Sequence, residues 1–236
     1  MHTLGDADLL TLWDRGAALH PLDRVLLLSA CARGDVSPAE LADLPLGCVN
    51  SALLRLRRDW FGPRITAFVD CPRCTERLEL SLDANALAEA APEPEPGREA
   101  TVDGLRLRAP TLRDLAAVAD ARDAHGAALQ LLERCCTARP EGAAGSLEPW
   151  LAAAEEALEA LDPAADLGLA LTCDACGHRW DAGLDIGALT WAEIAGRAAS
   201  VLSDVHRLAL AYGWSEREIL ALSPQRRAAY LELGTT

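Results

Sequence analysis

The chain has 236 residues, of which 25% are charged, and its formal net charge is −14. A field of this sign repels phosphate backbones and anionic lipid surfaces, so we expect neither nucleic-acid binding nor membrane docking. No basic, apolar leader opens the sequence and no apolar run approaches the roughly 20 residues needed to cross a bilayer, which predicts a cytoplasmic protein.

The first 62 residues are predicted to be helical. An amphipathic pattern covers residues 6–19, and a second helix opens at Pro21. The sequence SPAE at 37–40 carries the signature of a capped helix start with proline at its first position. A further helix stops at Gly62.

After Gly62 the hydrophobic period changes to two, which indicates strands. Residues 64–71 and 77–82 alternate on either side of the sequence CPRC. Residues 165–173 and 178–186 alternate in the same way around CDACGH. Two β-hairpins, far apart along the chain, are therefore predicted.

The segment between the hairpins begins with a linker at 91–100, whose proline and glutamate content predicts that it does not pack. Residues 104–110 read as a strand. Three helical patterns follow, at residues 111–121, 127–136 and 146–161.

The last part of the chain is predicted to be helical again. An apolar stripe at three- and four-residue steps runs from Thr190 to Gly213, and Thr190 with Glu193 matches a capping box at its start. Capped starts at Ser215 and Ser223 predict two shorter helices.

Eight cysteines in a cytoplasmic chain indicate thiols or metal ligands rather than disulfides. The pairs Cys71/Cys74 and Cys173/Cys176 both have C-x-x-C spacing, and each lies between two alternating segments. This layout is typical of zinc knuckles, in which a strand delivers one thiolate and a tight turn delivers the next. Together the two knuckles would hold one structural Zn²⁺. Residues 75–172 would then be an insertion or a subdomain beside the ribbon.

The residue that follows the second cysteine of each knuckle determines how easily the tight turn can form. Gly177 can adopt positive φ at no steric cost, whereas Thr75 occupies the matching position of the first knuckle, where glycine would be more comfortable. His178 could replace a cysteine as ligand, but a histidine at this place more often packs on the turn.

C-x-x-C pairs also serve in haem attachment and in thiol redox chemistry. Haem attachment needs a histidine directly after the second cysteine, and Gly177 stands there instead. A thiol redox pair needs the motif at a helix start, so redox chemistry is the less favoured alternative. Two unconnected knuckles without metal, and a zinc-ribbon nucleic-acid binder opposed by the negative charge, also stay open.

Four thiolates leave no open coordination position, so the strongest motif argues for structure and against catalysis. No hydrolase, metalloprotease, P-loop or dinucleotide pattern occurs in the sequence. We therefore expect no enzymatic activity and no small-molecule substrate.

Two basic patches stand out in this acidic chain. They are either solvated helix faces or docking surfaces for an acidic partner protein, because arginine and aromatic residues are favoured at interfaces. The candidate docking residues are Arg55, Arg57, Arg58, Arg64, Arg226, Arg227 and Tyr230.

Several segments resemble, in the same order, a family of T-even-type phage baseplate proteins or baseplate hub assembly chaperones, which are associated with bacterial contractile injection systems. The segments are LLTLWDRGAALHPLDRVLLLSA, LADLPLG, LLRLRRDWFGPR, DCPRCTERLELSLD, LTCDACGHRWDAGLDI and, most specifically, VLSDVHRLALAYGWSEREILALSPQRRAAYLEL. Residue 75 departs from the pattern, and residues 110–163 do not align.

The resemblance implies a non-enzymatic assembly factor or minor structural component of a baseplate. Baseplate hub, tube or wedge proteins would be its partners, and it would either leave after assembly or stay in the injection particle. The alternative is a C-x-x-C redox protein or a zinc-ribbon adaptor unrelated to baseplates.

The predicted fold is mainly α with a small discontinuous zinc-ribbon β element made of two C-x-x-C hairpins. Residues 1–62 form an N-terminal helical region, and residues 63–88 plus 165–189 form the ribbon. Residues 89–164 hold the linker, a strand and inserted helices, and residues 190–236 form a C-terminal helical region.

Overall fold

The structure, a computed structural model, describes residues 4–95, 97–141 and 145–234. It is mainly α-helical with small antiparallel sheets, as the sequence predicts. The helices are α1 (Asp6–Gly16), α2 (Pro21–Ala32), α3 (Pro38–Ala42), α4 (Leu46–Phe61), α5 (Ala84–Ala90), α6 (Leu112–Val118), α7 (Ala124–Cys135), α8 (Leu151–Leu161), α9 (Ile186–Tyr212), α10 (Glu216–Leu220) and α11 (Pro224–Leu233). The strands are β1 (Arg64–Asp70), β2 (Arg77–Asp83), β3 (Glu99–Val102), β4 (Leu105–Arg108), β5 (Cys136–Ala138), β6 (Gly168–Thr172) and β7 (Arg179–Gly183).

The chain forms two compact units. One contains the residues up to His20 and those from Ala188 onward, and the other is Pro21–Gly187. The predicted boundaries group α1 with the next three helices, whereas here it belongs to the unit of the C-terminal helices. The reason is a long-range ion cluster: Asp6 of α1 pairs with Arg197 of α9 and with Arg227 of α11. Local sequence patterns carry no information about such a contact.

Helix α4 lies at the centre of the core in the Pro21–Gly187 unit. Val49, Leu53 and Leu54 on it are almost completely buried. Gly62 ends the helix with φ of 89°, a conformation that favours glycine, and its amide closes the last turn on the carbonyl of Arg58. The chain then leaves directly into β1, so α4 sets the position of the first hairpin.

A second group of elements packs around a three-stranded antiparallel sheet, whose strand order is β3-β4-β5. Its core contains Leu105 and Leu107 of β4, Leu132 of α7 and Ala154 of α8. The sequence predicts that α7 continues through Cys136, and this prediction is wrong because α7 ends at Cys135 and strand β5 begins at Cys136. The chain instead becomes extended there and pairs with β4, whose backbone groups on that side gain hydrogen-bond partners from the new strand.

The linker predicted at 91–100 is also corrected in part. Pro94 is buried, and the carboxylate of Glu93 accepts hydrogen bonds from Arg33 at 2.7 Å and Arg55 at 3.2 Å. Strand β3 begins at Glu99, inside the predicted linker. Part of this segment therefore packs, because Arg33 of α2 and Arg55 of α4 supply two cations to Glu93.

Helix α9 begins at Ile186, four residues before the predicted start. Ile186, Thr190, Ile194 and Ala198 are all buried and follow one another at four-residue steps. Thr190 therefore lies on the buried stripe inside the helix, and the predicted capping box at Thr190 and Glu193 is wrong. The capping box at Ser215 and Glu218 is present at the start of α10.

In the part of the chain that the structure describes, no helix is both long enough and apolar enough to cross a membrane.

A buried ion cluster joins β4, α6 and α7. The carboxylate of Asp114, which is 1% exposed, accepts hydrogen bonds from Arg108 at 2.7 Å and from Arg134 at 2.9 Å. It also accepts hydrogen bonds from the amide and hydroxyl of Thr111. Burial alone would raise the pKa of Asp114, but the hydrogen bonds from Arg108 and Thr111 outweigh it and lower this pKa to about 2.

Replacing this carboxylate tests the cluster. A folded pKa below the unfolded value of roughly 3.9 stabilises the protein above that pH, and the contribution is lost between about pH 4 and pH 2. We expect Asp114→Asn to lower the free energy of unfolding at pH 7 by about 2–3 kcal/mol, because each unit by which the pKa is depressed corresponds to about 1.4 kcal/mol. Urea unfolding of both proteins at pH 7 and pH 3 measures the difference, which should shrink at the lower pH.

Asp43→Asn is the matched control for Asp114→Asn. Asp43 pairs with Arg113 through an exposed contact, and solvent screens such a pair, so this variant should unfold much as the parent does. Equal stability of the Asp114 variant and the parent would show that the cluster does not stabilise the fold.

Candidate metal centre

The four predicted sulfur ligands lie together. The Sγ atoms of Cys71, Cys74, Cys173 and Cys176 are all within 4.8 Å of one another. The distance from Cys71 to Cys176 is 3.8 Å, and that from Cys74 to Cys173 is 3.6 Å. The sulfurs in these pairs are 105 and 99 residues apart in the sequence, so the two hairpins meet only through the tertiary fold.

Each knuckle is built by its hairpin. Strands β1 and β2 pair antiparallel down to Asp70 and Arg77, which leaves a six-residue connection between them. The amide of Cys71 donates to the carbonyl of Glu76 at 2.8 Å, and the amide of Thr75 donates to the carbonyl of Cys71 at 2.9 Å. These two hydrogen bonds fold the connection into a tight turn with both thiols on one side.

The second knuckle repeats this geometry. Strands β6 and β7 pair down to Thr172 and Arg179. The amide of Cys173 donates to the carbonyl of His178 at 2.9 Å, and the amide of Gly177 donates to the carbonyl of Cys173 at 2.8 Å. Two sequences with little in common beyond C-x-x-C therefore form equivalent turns.

Both turns need a left-handed residue after the second cysteine. Gly177 has φ of 68° and Thr75 has φ of 60°. This conformation costs an L residue about 1–2 kcal/mol, and the Thr75 hydroxyl compensates locally by donating to the carbonyl of Cys74 at 2.7 Å. The left-handed backbone at residue 75 agrees with the prediction that glycine would be more comfortable there.

The sulfur spacing fits a metal ion. Four sulfurs at about 2.3 Å from a central ion form a tetrahedron with edges of about 3.8 Å. The observed 3.6 and 3.8 Å agree with this edge, whereas bonded sulfurs lie about 2.05 Å apart. The four cysteines can therefore bind one tetrahedral ion, and each hairpin supplies two of the four sulfur ligands.

Backbone amides prepare the site for thiolates. Burial acts to raise the pKa of Cys71, but hydrogen bonds from the amides of Cys74 and Arg73 outweigh it and lower this pKa to about 7. The amide of Glu76 acts to lower the pKa of Cys74, but the Cys176 thiol and burial raise it to about 12. Neighbouring sulfurs thus resist ionising together, and a bound cation would offset that repulsion.

The amides of Arg73, Cys74 and Glu76 are functional groups that the sequence reasoning missed. Backbone donors have no side-chain signature, although the C-x-x-C spacing itself indicates a turn that could present them.

Exposure differs among the ligands. Cys71 and Cys173 are buried, Cys176 is half-buried and Cys74 is exposed, so a chelator in solution can approach the centre from one side. His178 lies outside the sulfur cluster, and its ring stacks on that of Trp180 at 5.8 Å between centroids. It packs on Trp180 of β7 and is not one of the four clustered ligands.

The predicted docking residues are not all available. Arg57 is 2% exposed and donates to the carbonyl of Gly62 at 2.6 Å. Arg227 is 3% exposed and pairs with Asp6. These two predictions are corrected, because each guanidinium group is enclosed by its own fold and cannot reach a partner protein.

The remaining docking candidates are accessible to different degrees. Arg55, Arg64 and Arg226 are exposed, and Arg58 and Tyr230 are half-buried. Arg55 pairs with Glu93 and Arg58 with Asp59, so part of the first basic patch is already neutralised within the chain.

No family model, no curated protein and no solved structure matches this chain. The likeness of its segments to baseplate proteins stays a prediction, and the metal centre is argued from the geometry of the chain alone.

Removing one ligand tests the centre. Cys176→Ser should leave an incomplete site and lose most of the bound metal, measured by elemental analysis of the purified protein. Because metal binding and folding are coupled, we also expect a strong loss of stability, since such binding reaches about 10–16 kcal/mol in zinc-finger peptides. Limited proteolysis should then cut β1–β2 and β6–β7 readily.

Cys136→Ser is the control for this substitution. Cys136 lies outside the cluster, and its thiol faces the carbonyl of Ala138 at 3.5 Å, a contact that a serine hydroxyl can also make. This variant should keep the parent's metal content and protease resistance. If Cys176→Ser kept them too, the cluster would not be a metal centre on which folding depends.

Proposed function

We propose that this chain is a zinc-stapled, non-enzymatic assembly factor or minor structural component of the baseplate of a contractile injection system. The observation that carries the proposal is the closed cluster of four cysteines, taken together with the ordered set of segments that resemble baseplate proteins. The cluster supports a structural use of the metal, and the resemblance supplies the biological setting.

Zinc is the ion that this ligand set favours. Soft thiolate ligands select zinc or iron–sulfur centres over hard cations, and a tetrahedral four-sulfur shell is the usual form of structural zinc sites. Such a shell is closed, so a bound ion would have no position for a substrate or an activated water. Its contribution would be to hold the two hairpins together.

The ribbon and its surroundings suit a scaffold. The zinc would join segments 99 and 105 residues apart and so bracket the elements from α5 to α8 between two fixed hairpins. A scaffold held in this way presents constant surfaces to neighbouring subunits. In this proposal its partners are hub, tube or wedge proteins of the same particle.

The proposal places the chain in the cytoplasm. Thiolates stay reduced and available to zinc there, because glutathione and thioredoxin systems keep cytoplasmic cysteines from forming disulfides. The chain would then either leave the finished particle or remain in it as a minor component.

Metal analysis tests the zinc. Protein purified without added metal should contain one zinc per chain and little iron. A strong chelator should lower its melting temperature, and added Zn²⁺ should restore it, because the ion stabilises only the folded chain. Iron in place of zinc would contradict the assignment, and a metal-free protein with a reversible disulfide would favour the redox alternative.

Deleting the gene in a host that makes contractile particles tests the biological role. Electron microscopy should show fewer complete particles, with tubes or sheaths that lack finished baseplates. The parent sequence and Cys136→Ser should restore assembly, whereas Cys176→Ser should not. Normal particles in the deletion strain would reject the baseplate role while leaving the metal centre untouched.

A further inference from the structure

A groove opens between the end of α9 and α11, within the unit that contains both helices. It encloses about 300 Å³. Its walls include Arg207, Leu210 and Ala211 from α9 and Tyr230, Leu231 and Gly234 from α11 and the residue after it. This volume is at the lower end of the roughly 300–1,000 Å³ of small-molecule pockets, and few polar groups converge on it. One or two apolar side chains of a protein fit it better than a cofactor does.

Large apolar side chains are exposed in the wall of this groove, at Leu210, and next to it on α11, at Leu233. Leu210 is 75% exposed and Leu233 is 68% exposed, the highest values among the large hydrophobic residues that the structure describes. Leu208, two residues before Leu210, is buried, so the core of α9 is already supplied by its other face. Clustered exposure of this kind marks interaction sites, whereas single exposed leucines are ordinary.

Two further aromatic rings pack against Tyr230, which lies in the wall of the groove. Tyr212 stacks on Trp214 at 4.7 Å, and Tyr230 meets the edges of both rings at 5.6 and 4.8 Å. The Tyr212 hydroxyl also donates to the carbonyl of Tyr230 at 3.1 Å. A wall that is ordered before binding reduces the entropy lost when a partner docks.

Two unpaired cations flank the apolar surface. Arg207 lies in the wall of the groove, and Arg226 is one turn before Tyr230 on α11, with Leu233 one turn after it on the same face. Within the described residues, neither guanidinium group has an ion pair or hydrogen bond. Both are exposed, in a chain whose net charge is −14.

We propose that this groove binds an acidic amphipathic segment of another protein, which inserts aliphatic or aromatic side chains between α9 and α11 and sets carboxylates against Arg207 and Arg226. Charge complementarity to these two arginines selects this occupant over a second copy docked through the same face, because a self-complementary contact would set the same arginines against each other. Arginine and tyrosine beside exposed leucines are typical of interface hot spots. The proposal rests on the proposed function in one respect, that the partner is a subunit of the same particle.

A labelled peptide tests the groove without any particle. The probe is a fluorescein-labelled peptide of about 18 residues, long enough to form a helix, with leucines at i, i+4 and i+7 and glutamates beside them. Two matched peptides carry lysine for every glutamate or alanine for every leucine. Fluorescence anisotropy should show micromolar binding of the acidic leucine peptide by the full chain, and binding of the other two at least about tenfold weaker.

Variants locate the binding site. Leu210→Ser with Leu233→Ser should weaken binding of the acidic peptide at least about tenfold. Arg207→Glu with Arg226→Glu should shift the preference toward the lysine peptide. Arg217→Glu is the matched control, because Arg217 is an exposed arginine of α10 outside this groove, and it should bind like the parent. Unchanged thermal unfolding of every variant shows that the surface alone was altered.

Several results would contradict the proposal that this groove binds an acidic segment. These are no binding by the parent at several hundred micromolar peptide, equal binding of the acidic and lysine peptides, or binding that the groove variants leave unchanged. A dimer in light scattering that the leucine variants dissociate would assign the groove to a second copy instead.

Particle assembly separates this proposal from the proposed function. If the peptide does not bind but deletion of the gene still prevents assembly, the proposed binding at the groove is rejected and the baseplate role is supported. If the peptide binds as expected and particles assemble without the chain, the groove stands and the baseplate role is wrong.

Discussion

The convergence of four sulfur atoms from two distant hairpins is the constraint on which the ribbon depends. A two-stranded hairpin is only marginally stable in water, and β1–β2 and β6–β7 each have two strands. The sulfurs that meet are 99 and 105 residues apart, so a shared ion would close a long loop whose entropic cost rises slowly with length. Ion binding and folding would therefore be one event.

The same constraint explains why the two knuckles are alike in geometry despite different sequences. Each turn directs an amide to a carbonyl across the hairpin and takes a left-handed residue after the second cysteine. Glycine meets that requirement at residue 177 and threonine meets it at residue 75 under strain. A closed four-sulfur shell has no reactive position. The groove between α9 and α11 has in its wall the exposed Leu210 and Arg207, which is unpaired within the described part of the chain.

Charged residues show how tertiary contacts alter an interpretation made from sequence. Arg57 and Arg227 belong to basic runs that suggested docking, yet both are buried, one on the carbonyl of Gly62 and the other against Asp6. Glu93 belongs to a segment expected not to pack, yet it bridges Arg33 and Arg55. In each case the deciding partner comes from another element or from a loop whose position the helical period does not reveal.

The sequence by itself determined the elements whose signals are local: the C-x-x-C hairpins with alternating flanks, the capped starts of α3, α10 and α11, and the backbone demand after each knuckle. These follow from hydrogen bonds and periodicities that span only a few residues. Only the tertiary structure decided that α1 joins the C-terminal helices, that β5 extends at Cys136, that α9 begins at Ile186, and which arginines face solvent. Those outcomes depend on partners far away in the chain, and their burial and charge exceed the small preferences that a local pattern can express.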